Sequence, residues 1–178
     1  IIMIHYVTYA THSQGTFEKL VNNEYNIKVT VLGWNTKWNG FMDKYKAMIK
    51  FSGNIPSNDL IVFLDGFDTI INKNPAQLES EFLQFNCDIL VSLDRNPLFY
   101  QPQYMVRRIF GTCKDKYTAN SGLYMGRAKH IKTLLNEVME EKTDDDQRAL
   151  NSTCRKTNLN ICIDIHSKIF HNGIPVNI

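Results

Sequence analysis

The stretch Asp59-Leu60-Ile61-Val62-Phe63-Leu64-Asp65-Gly66-Phe67-Asp68 decides how this chain folds. Five consecutive apolar residues, entered at Asp59 and left through an acidic turn, give the clearest strand signal in the sequence. A related pattern repeats on both sides of it. Ile1 to Tyr9 is β-branched and aromatic and reads as a buried strand. Thr11, Ser13 and Gly15 end it, and Phe17, Leu20 and Val21 then set an apolar stripe at helical spacing. Ile27 to Leu32 is a second strand, closed by Gly33. Tyr45, Met48, Ile49 and Phe51 mark the next helix, stopped by Gly53 and Pro56. Downstream, Pro75 opens a helix that runs toward Phe85, and Asp88 to Leu93 is a further strand. This alternation predicts an α/β domain, a mainly parallel central sheet with helices on both faces. Arg95 to Thr118, with two prolines and five aromatics, reads as an ordered excursion or lid, since linkers are poor in aromatics. Ser121 to Met125 reads as a short strand and Ala128 to Glu141 as a helix. Asp144 to Leu150 adds a helical turn or two, and Asn160 to Phe170 is extended.

The 178 residues suit a single domain, 1–178, on a scale of about 150 residues per domain. A chain of this size buries roughly 70% of its unfolded surface, enough for a core without metal or disulfide staples. The net charge of +2, from 20 basic and 18 acidic residues, excludes a protein that coats nucleic acid. Ile1 to Ile4, Leu60 to Leu64 and Ile89 to Val91 are far shorter than the about 20 apolar residues of a membrane span. The given sequence opens directly in strand-like residues, so no leader is expected in it. Cys87, Cys113, Cys154 and Cys162 show no CxxC spacing, which argues against a zinc site and suits thiols and disulfides equally. Asn151-Ser152-Thr153 is a glycosylation sequon, a triplet that arises by chance in a chain with 18 Asn.

Ligands of open α/β sheets bind beyond the carboxyl ends of the strands. That rule singles out Thr8 to Thr11, Gly33 to Trp38, Asp65 to Asp68 and the turn near Asn120. Two carboxylates three apart, just past a very apolar strand, are costly unless they hold something positive. Their oxygens suit a hard cation such as Mg²⁺ or Mn²⁺, which also contacts phosphate oxygens. The plainer reading is a capped turn at a solvated strand end. Thr143-Asp144-Asp145-Asp146-Gln147 has its own plain reading, an N-cap with acids complementing a helix dipole. Asn120-Ser121-Gly122 is a polar turn in which Gly lets backbone approach a ligand. A phosphatase of the haloacid-dehalogenase type needs its acids two apart, whereas Asp65 and Asp68 are three apart, and no later Lys with an acidic pair completes that set.

Taken in order, these pieces resemble the glycosyltransferase domain of the procollagen lysyl hydroxylases and, more distantly, the collagen galactosyltransferases. The resemblance runs from Val7 to Asn172. It rests on Val7-Thr8-Tyr9-Ala10-Thr11, on Val31-Leu32-Gly33 with Trp38-Asn39-Gly40, and on Asp65-Gly66-Phe67-Asp68. It continues through Asn120-Ser121-Gly122, Asp144-Asp145-Asp146-Gln147, Asn160 to Asp164 and Ile169-Phe170-His171-Asn172. It implies a GT-A-type, Rossmann-like three-layer α/β/α fold and an enzyme, a hexosyltransferase. That enzyme would use Mn²⁺ (or Mg²⁺) to move glucose from UDP-glucose to galactosyl-hydroxylysine of collagen-like chains. Asp65 and Asp68 would be metal ligands. Tyr9, Thr11, Trp38, Lys44, Gly66 and Phe67 would bind the UDP-sugar, with Phe67 standing where the family stacks an aromatic on uracil. Lys44 would face the diphosphate, although the family's Gly-rich stretch before it is shortened here. Asn120, Asp145 and Asp146 would contact the donor sugar or position the acceptor hydroxyl, as the catalytic group. Asp164 matches a family aspartate of the pocket region.

One departure stands out. The family's third metal ligand, a histidine in a His-Gly-Asn-Gly-like segment, lies downstream of the match to Phe170-His171-Asn172. Either it lies outside the given sequence, which would then lack a C-terminal closing segment, or His171 is recruited, or two carboxylates suffice with the diphosphate. The first is preferred. UDP-galactose as donor, and a nucleotide-sugar binding module without turnover, are the competing functions. The two acids Asp145 and Asp146 argue against the latter.

Overall fold

The computed structural model describes residues 2–94 and 103–173. Six strands form one sheet in the order β2-β1-β3-β5-β4-β6. In chain order the elements are β1 (Ile4–Tyr9), α1 (Phe17–Val21), β2 (Val29–Leu32), α2 (Asp43–Ser52), β3 (Leu60–Leu64) and α3 (Leu78–Leu83). They continue with β4 (Ile89–Leu93), α4 (Gln103–Phe110), β5 (Ala119–Arg127), α5 (Ala128–Met139), α6 (Asp146–Lys156) and β6 (Ile161–Asp164). Every neighbouring pair is parallel except those made by β5, which runs antiparallel to both β3 and β4. The fold is therefore the three-layer α/β/α arrangement expected, with one reversed strand in its centre.

The alternation of side chains along β3 explains the layers. Ile61 and Phe63 point into a core with Val7, Tyr45, Met48, Tyr124, Ile131, Leu134 and Leu150, under α2, α5 and α6. Leu60, Val62 and Leu64 point the other way, onto Leu20, Leu78, Phe82, Leu90, Met125 and Phe170, under α1 and α3. A strand buried on both faces reads as an unbroken apolar run, as Leu60 to Leu64 does.

Several boundaries differ from the sequence reading. β5 is nine residues long, not five, because it pairs on both sides. α6 continues to Lys156, held by Ala149, Leu150 and Cys154 in the core. The segment after Asn160 stops being a strand at Asp164, where the carboxylate accepts the N–H groups of Lys168, Ile169 and Phe170 at 2.8–2.9 Å and winds the chain into a turn. Asp164 is fully buried and thus organises this turn. Within the expected lid, residues 103–110 are helix α4 and Lys114 and Tyr117 bridge a tight turn, while 95–102 lie outside the described residues.

Asp59 locks the lower edge of the sheet. Its carboxylate accepts the Met3 N–H at 3.2 Å and meets His5 Nε2 at 2.8 Å, and its carbonyl accepts the N–H of Ala128 at the start of α5. The His5 hydrogen bond first, and the Met3 N–H second, hold this carboxyl below its ordinary value of 3.8. A depressed carboxylate stabilises the fold above its unfolded pKa and loses that contribution as pH falls through the folded one. Asp59→Asn should therefore flatten the acid limb of stability between about pH 5 and pH 3, read from urea midpoints.

Candidate active site

The carboxyl ends of β1, β2, β3 and β4 share one edge of the sheet with the amino end of β5, because β5 is reversed. The chain thus enters the site at Asn120 rather than leaving it. β5 is also irregular at this point. Tyr124 pairs with Val91, yet Asn120 pairs with Ser92, so Ser121, Gly122 and Leu123 form a bulge against β4. On its other side β5 stays in register, Leu123 opposite Leu64. Bulges re-aim side chains at the rims of sheets, and this one carries Asn120 and Ser121.

β3 hands over to the acidic turn in one step. The Asp65 N–H donates to Gly122 O at 2.8 Å, and Asp65 Oδ1 accepts the Phe67 N–H at 3.1 Å, an Asx-type turn. Gly66 is required there, since a Cβ would stand 2.8 Å from the Tyr9 carbonyl oxygen. The turn brings Asp68 within hydrogen-bond contact of Asp65. Burial first, and then the charge and hydrogen bond of Asp65, push the Asp68 carboxyl up, with Lys44 opposing. Asp68 keeps much of its surface open to water, so screening tempers this shift.

Lys44, in the first turn of α2, is 7% exposed. Its ammonium pairs with the Asp146 carboxylate and reaches Ser121 O at 3.4 Å and Ser121 Oγ at 3.3 Å. Ser121 Oγ donates to Asp146 Oδ2 at 2.6 Å, and Tyr45 OH donates to Asp146 O at 3.0 Å. Burial, followed by the negative charge of Asp146, pushes the Tyr45 phenol well above its usual range. Beyond Asp146, Gln147 Nε2 donates to Asp94 Oδ2 at 2.5 Å while its Oε1 lies 3.5 Å from the Ser121 N–H. Burial raises the Asp94 carboxyl, and the Gln147 hydrogen bond opposes the rise. One polar chain thus runs from the end of β4 through α6 and β5 to Lys44, whose charge acts on Asp68 at the end of β3.

Asp145 takes the other role offered by the sequence. It is the N-cap of α6, its Oδ1 accepting the Arg148 N–H at 2.8 Å. Asn120 Oδ1 accepts the Gly122 N–H at 2.8 Å and faces the same space as Asp65 Oδ2, on either side of Gly122.

A second group lines the ends of β1 and β2. The Tyr9 and Trp38 rings lie 5.9 Å apart, and Phe41 meets Trp38 edge-on at 5.5 Å. Gly33, at φ +76°, leaves room for the Tyr9 ring, whose atoms would lie 2.5 Å from a Cβ. Thr11 Oγ1 meets His12 Nδ1 at 2.9 Å, and the His12 ring lies 5.4 Å from that of Phe67. The loops are tied together by the Asn35 N–H donating to Thr11 O at 3.0 Å. Trp38 is 45% exposed. The rings form two tilted groups, Tyr9 with Trp38 and Phe41 at the ends of β1 and β2, and His12 with Phe67 at the acidic turn.

Two oxygen-donor carboxylates in mutual contact form a donor set that fits a hard divalent cation completed by phosphate oxygens. Among the described residues no group of three or more His, Cys, Asp or Glu is disposed to hold a metal. All the site residues read from the sequence lie at this one edge. Asp94, Tyr45 and His12 were not among them, and Ser121 and Gln147 stood only inside the quoted motifs, without a role of their own. Asp94 sits at a strand end, as the strand-end rule asks, and Gln147 follows the acidic run directly. Tyr45 and Ser121 act through burial, which no spacing in the sequence reports.

Asn151 settles the sequon. Its side chain is fully buried, Nδ2 donating to Ala119 O and Oδ1 accepting the Ala119 N–H at 2.8–2.9 Å. Folded protein should carry no glycan at Asn151 when made in a secretory host, read by intact mass. Asn151→Ala should cost about 2–3 kcal/mol, because it strands a buried backbone pair.

Residues 2–173 match the PLOD GT domain. A "Multifunctional procollagen lysine hydroxylase and glycosyltransferase" of Caenorhabditis elegans is 26% identical, over 93% of this chain and 25% of that protein. "Procollagen-lysine,2-oxoglutarate 5-dioxygenase 1" of Gallus gallus is 25% identical, over 83% of this chain and 22% of that protein. The chain spans about a quarter of the length of these relatives. In fold it is similar to protein A197 from STIV, with a TM-score of 0.54 and 12% identity over 91% of this chain and 81% of that one. The match over nearly the whole chain makes it a member of the PLOD GT domain family.

Proposed function

We propose that this domain is a collagen-modifying glycosyltransferase that moves glucose from UDP-glucose to galactosyl-hydroxylysine. The observation that carries the reading is the polar chain Asp94–Gln147–Ser121–Asp146–Lys44, whose Ser121 adjoins the Gly122 carbonyl that accepts the Asp65 N–H, in a member of this family. Asp65 and Asp68 would hold Mn²⁺ or Mg²⁺, which when bound neutralises charge on the diphosphate leaving group. Phe67 stacks on the uracil, Trp38 walls the nucleotide site, and Thr11 with the backbone at Tyr9 holds the uridine. Lys44 offers a fixed positive charge to the same diphosphate as it departs, and its buried setting strengthens that interaction. Asn120 and Asp146 face the sugar. Asp146 orients the acceptor hydroxyl and stabilises positive charge at the anomeric carbon, while Asp145 keeps α6 capped at that edge.

A UDP-release assay tests the reading directly. The protein is given UDP-glucose or UDP-galactose, with and without Mn²⁺ and a galactosyl-hydroxylysine peptide. Metal-dependent release with UDP-glucose and that peptide is expected. Release with UDP-galactose and an unglycosylated hydroxylysine peptide would instead assign galactosyl transfer. Metal-dependent UDP binding without release would make the domain a binding module.

A further inference from the structure

We propose that Cys87 and Cys162 form a second disulfide, a covalent staple between edge strand β6 and the residue that leads into β4. Cys162 is the second residue of β6 and pairs in register with Leu90 of β4. Ahead of β4 the chain turns at Asn86, at φ +50°, and the turn lays residues 85–88 across β6. Asn160 Nδ2 donates to Asn86 O at 2.9 Å, the Asp88 N–H to Asn160 O at 2.8 Å, and Cys162 Sγ–H to Phe85 O at 3.6 Å. The Cys162 thiol thus lies against the carbonyl two residues before Cys87, and in the structure both cysteines are free thiols. Each side chain is half-buried and packs on the same cluster under α3, so the pair is pre-positioned and still reachable by a small oxidant.

The plainer alternative is two reduced thiols packing as small apolar groups. The chain's other two cysteines already form the Cys113–Cys154 disulfide, so the fold is built with oxidised sulfur elsewhere. The oxidation balances with a disulfide such as oxidised glutathione. One cysteine, as its thiolate, attacks the oxidant and expels one glutathione thiol. The second cysteine, losing its proton, then displaces the remaining glutathione. The products are one Cys87–Cys162 bond and two glutathione thiols. The bond would fix β6 at the sheet edge, and with it the turn that Asp164 organises. This inference does not depend on the proposed activity.

The whole protein is equilibrated in a glutathione redox buffer poised so that Cys113–Cys154 is fully oxidised, then alkylated without reduction and digested. A peptide pair joining Cys87 to Cys162, two hydrogens lighter than the sum of its parts, is the expected result. In Cys87→Ser one thiol per chain should label, at Cys162, whereas the oxidised wild type should label at none. The thermal midpoint of oxidised wild type should exceed that of oxidised Cys87→Ser, and the gap should close once both proteins are reduced. Quantitative alkylation of Cys87 and Cys162 under this buffer, or pairing of either with Cys113 or Cys154, would overturn the proposal.

Discussion

Asp65→Asn should lose metal-dependent UDP binding by roughly 10²-fold, about 3 kcal/mol, while the domain stays folded. The asparagine keeps an oxygen to accept the Phe67 N–H at the 3.1 Å turn, so the Asx geometry survives. What it removes is one of the two carboxylate charges that would hold the cation in the proposed function. Asp65→Ala removes the turn acceptor as well, and its larger loss would mix positioning with charge. Calorimetric titration of UDP, with Mn²⁺ and with chelator, separates the two. The asparagine variant should match wild type only in chelator. Equal affinity of wild type and variant in Mn²⁺ would show that Asp65 holds no metal.

The largest stability effect is expected at Asp146. Lys44 is buried beneath it, and removing one partner of a buried ion pair leaves an uncompensated charge that costs about 3–5 kcal/mol. Asp146→Ala should therefore lower the urea midpoint strongly. Lys44→Met/Asp146→Leu should restore most of the stability, because an apolar pair of similar volume often replaces a buried ion pair at little net cost. Neither variant should transfer sugar. The cycle thus separates folding from function: the double variant is stable and inactive if Lys44 and Asp146 serve chemistry. Full transfer activity in the double variant would show that the pair is structural only.

Much of this architecture was legible because burial writes itself into runs and periods. Leu60 to Leu64 had the bounds the structure gives, since a strand covered on both faces has no polar position to blur its ends. The acidic turn was legible because two charges beside such a strand need a reason. The length of β5 was not. Residues 119–127 mix Asn, Ser, Gly and Arg with apolar residues, and only pairing with β3 and β4 makes them one strand. Its antiparallel direction was also hidden, because direction is set by where the preceding excursion delivers the chain. Asp145 and Asp146 illustrate the other limit. Adjacent acids at a helix start are alike in sequence, yet a step of one residue turns the first onto the helix backbone and the second onto Lys44.

The bulge at Ser121 to Leu123 carries a consequence for how this domain tolerates insertions and deletions. On its β3 side the strand counts residues one for one, so Gly122 O always meets the Asp65 N–H. On its β4 side three residues slip past without a partner. A change of length in the 140–144 connection between α5 and α6 is absorbed at the surface. A single residue lost from 121–123 would instead turn Asn120 to the opposite face of the sheet and leave Lys44 facing the wrong side chain. The spacing of Asp65, Asn120 and Lys44 is therefore encoded in strand register, and loop length around them is free to vary.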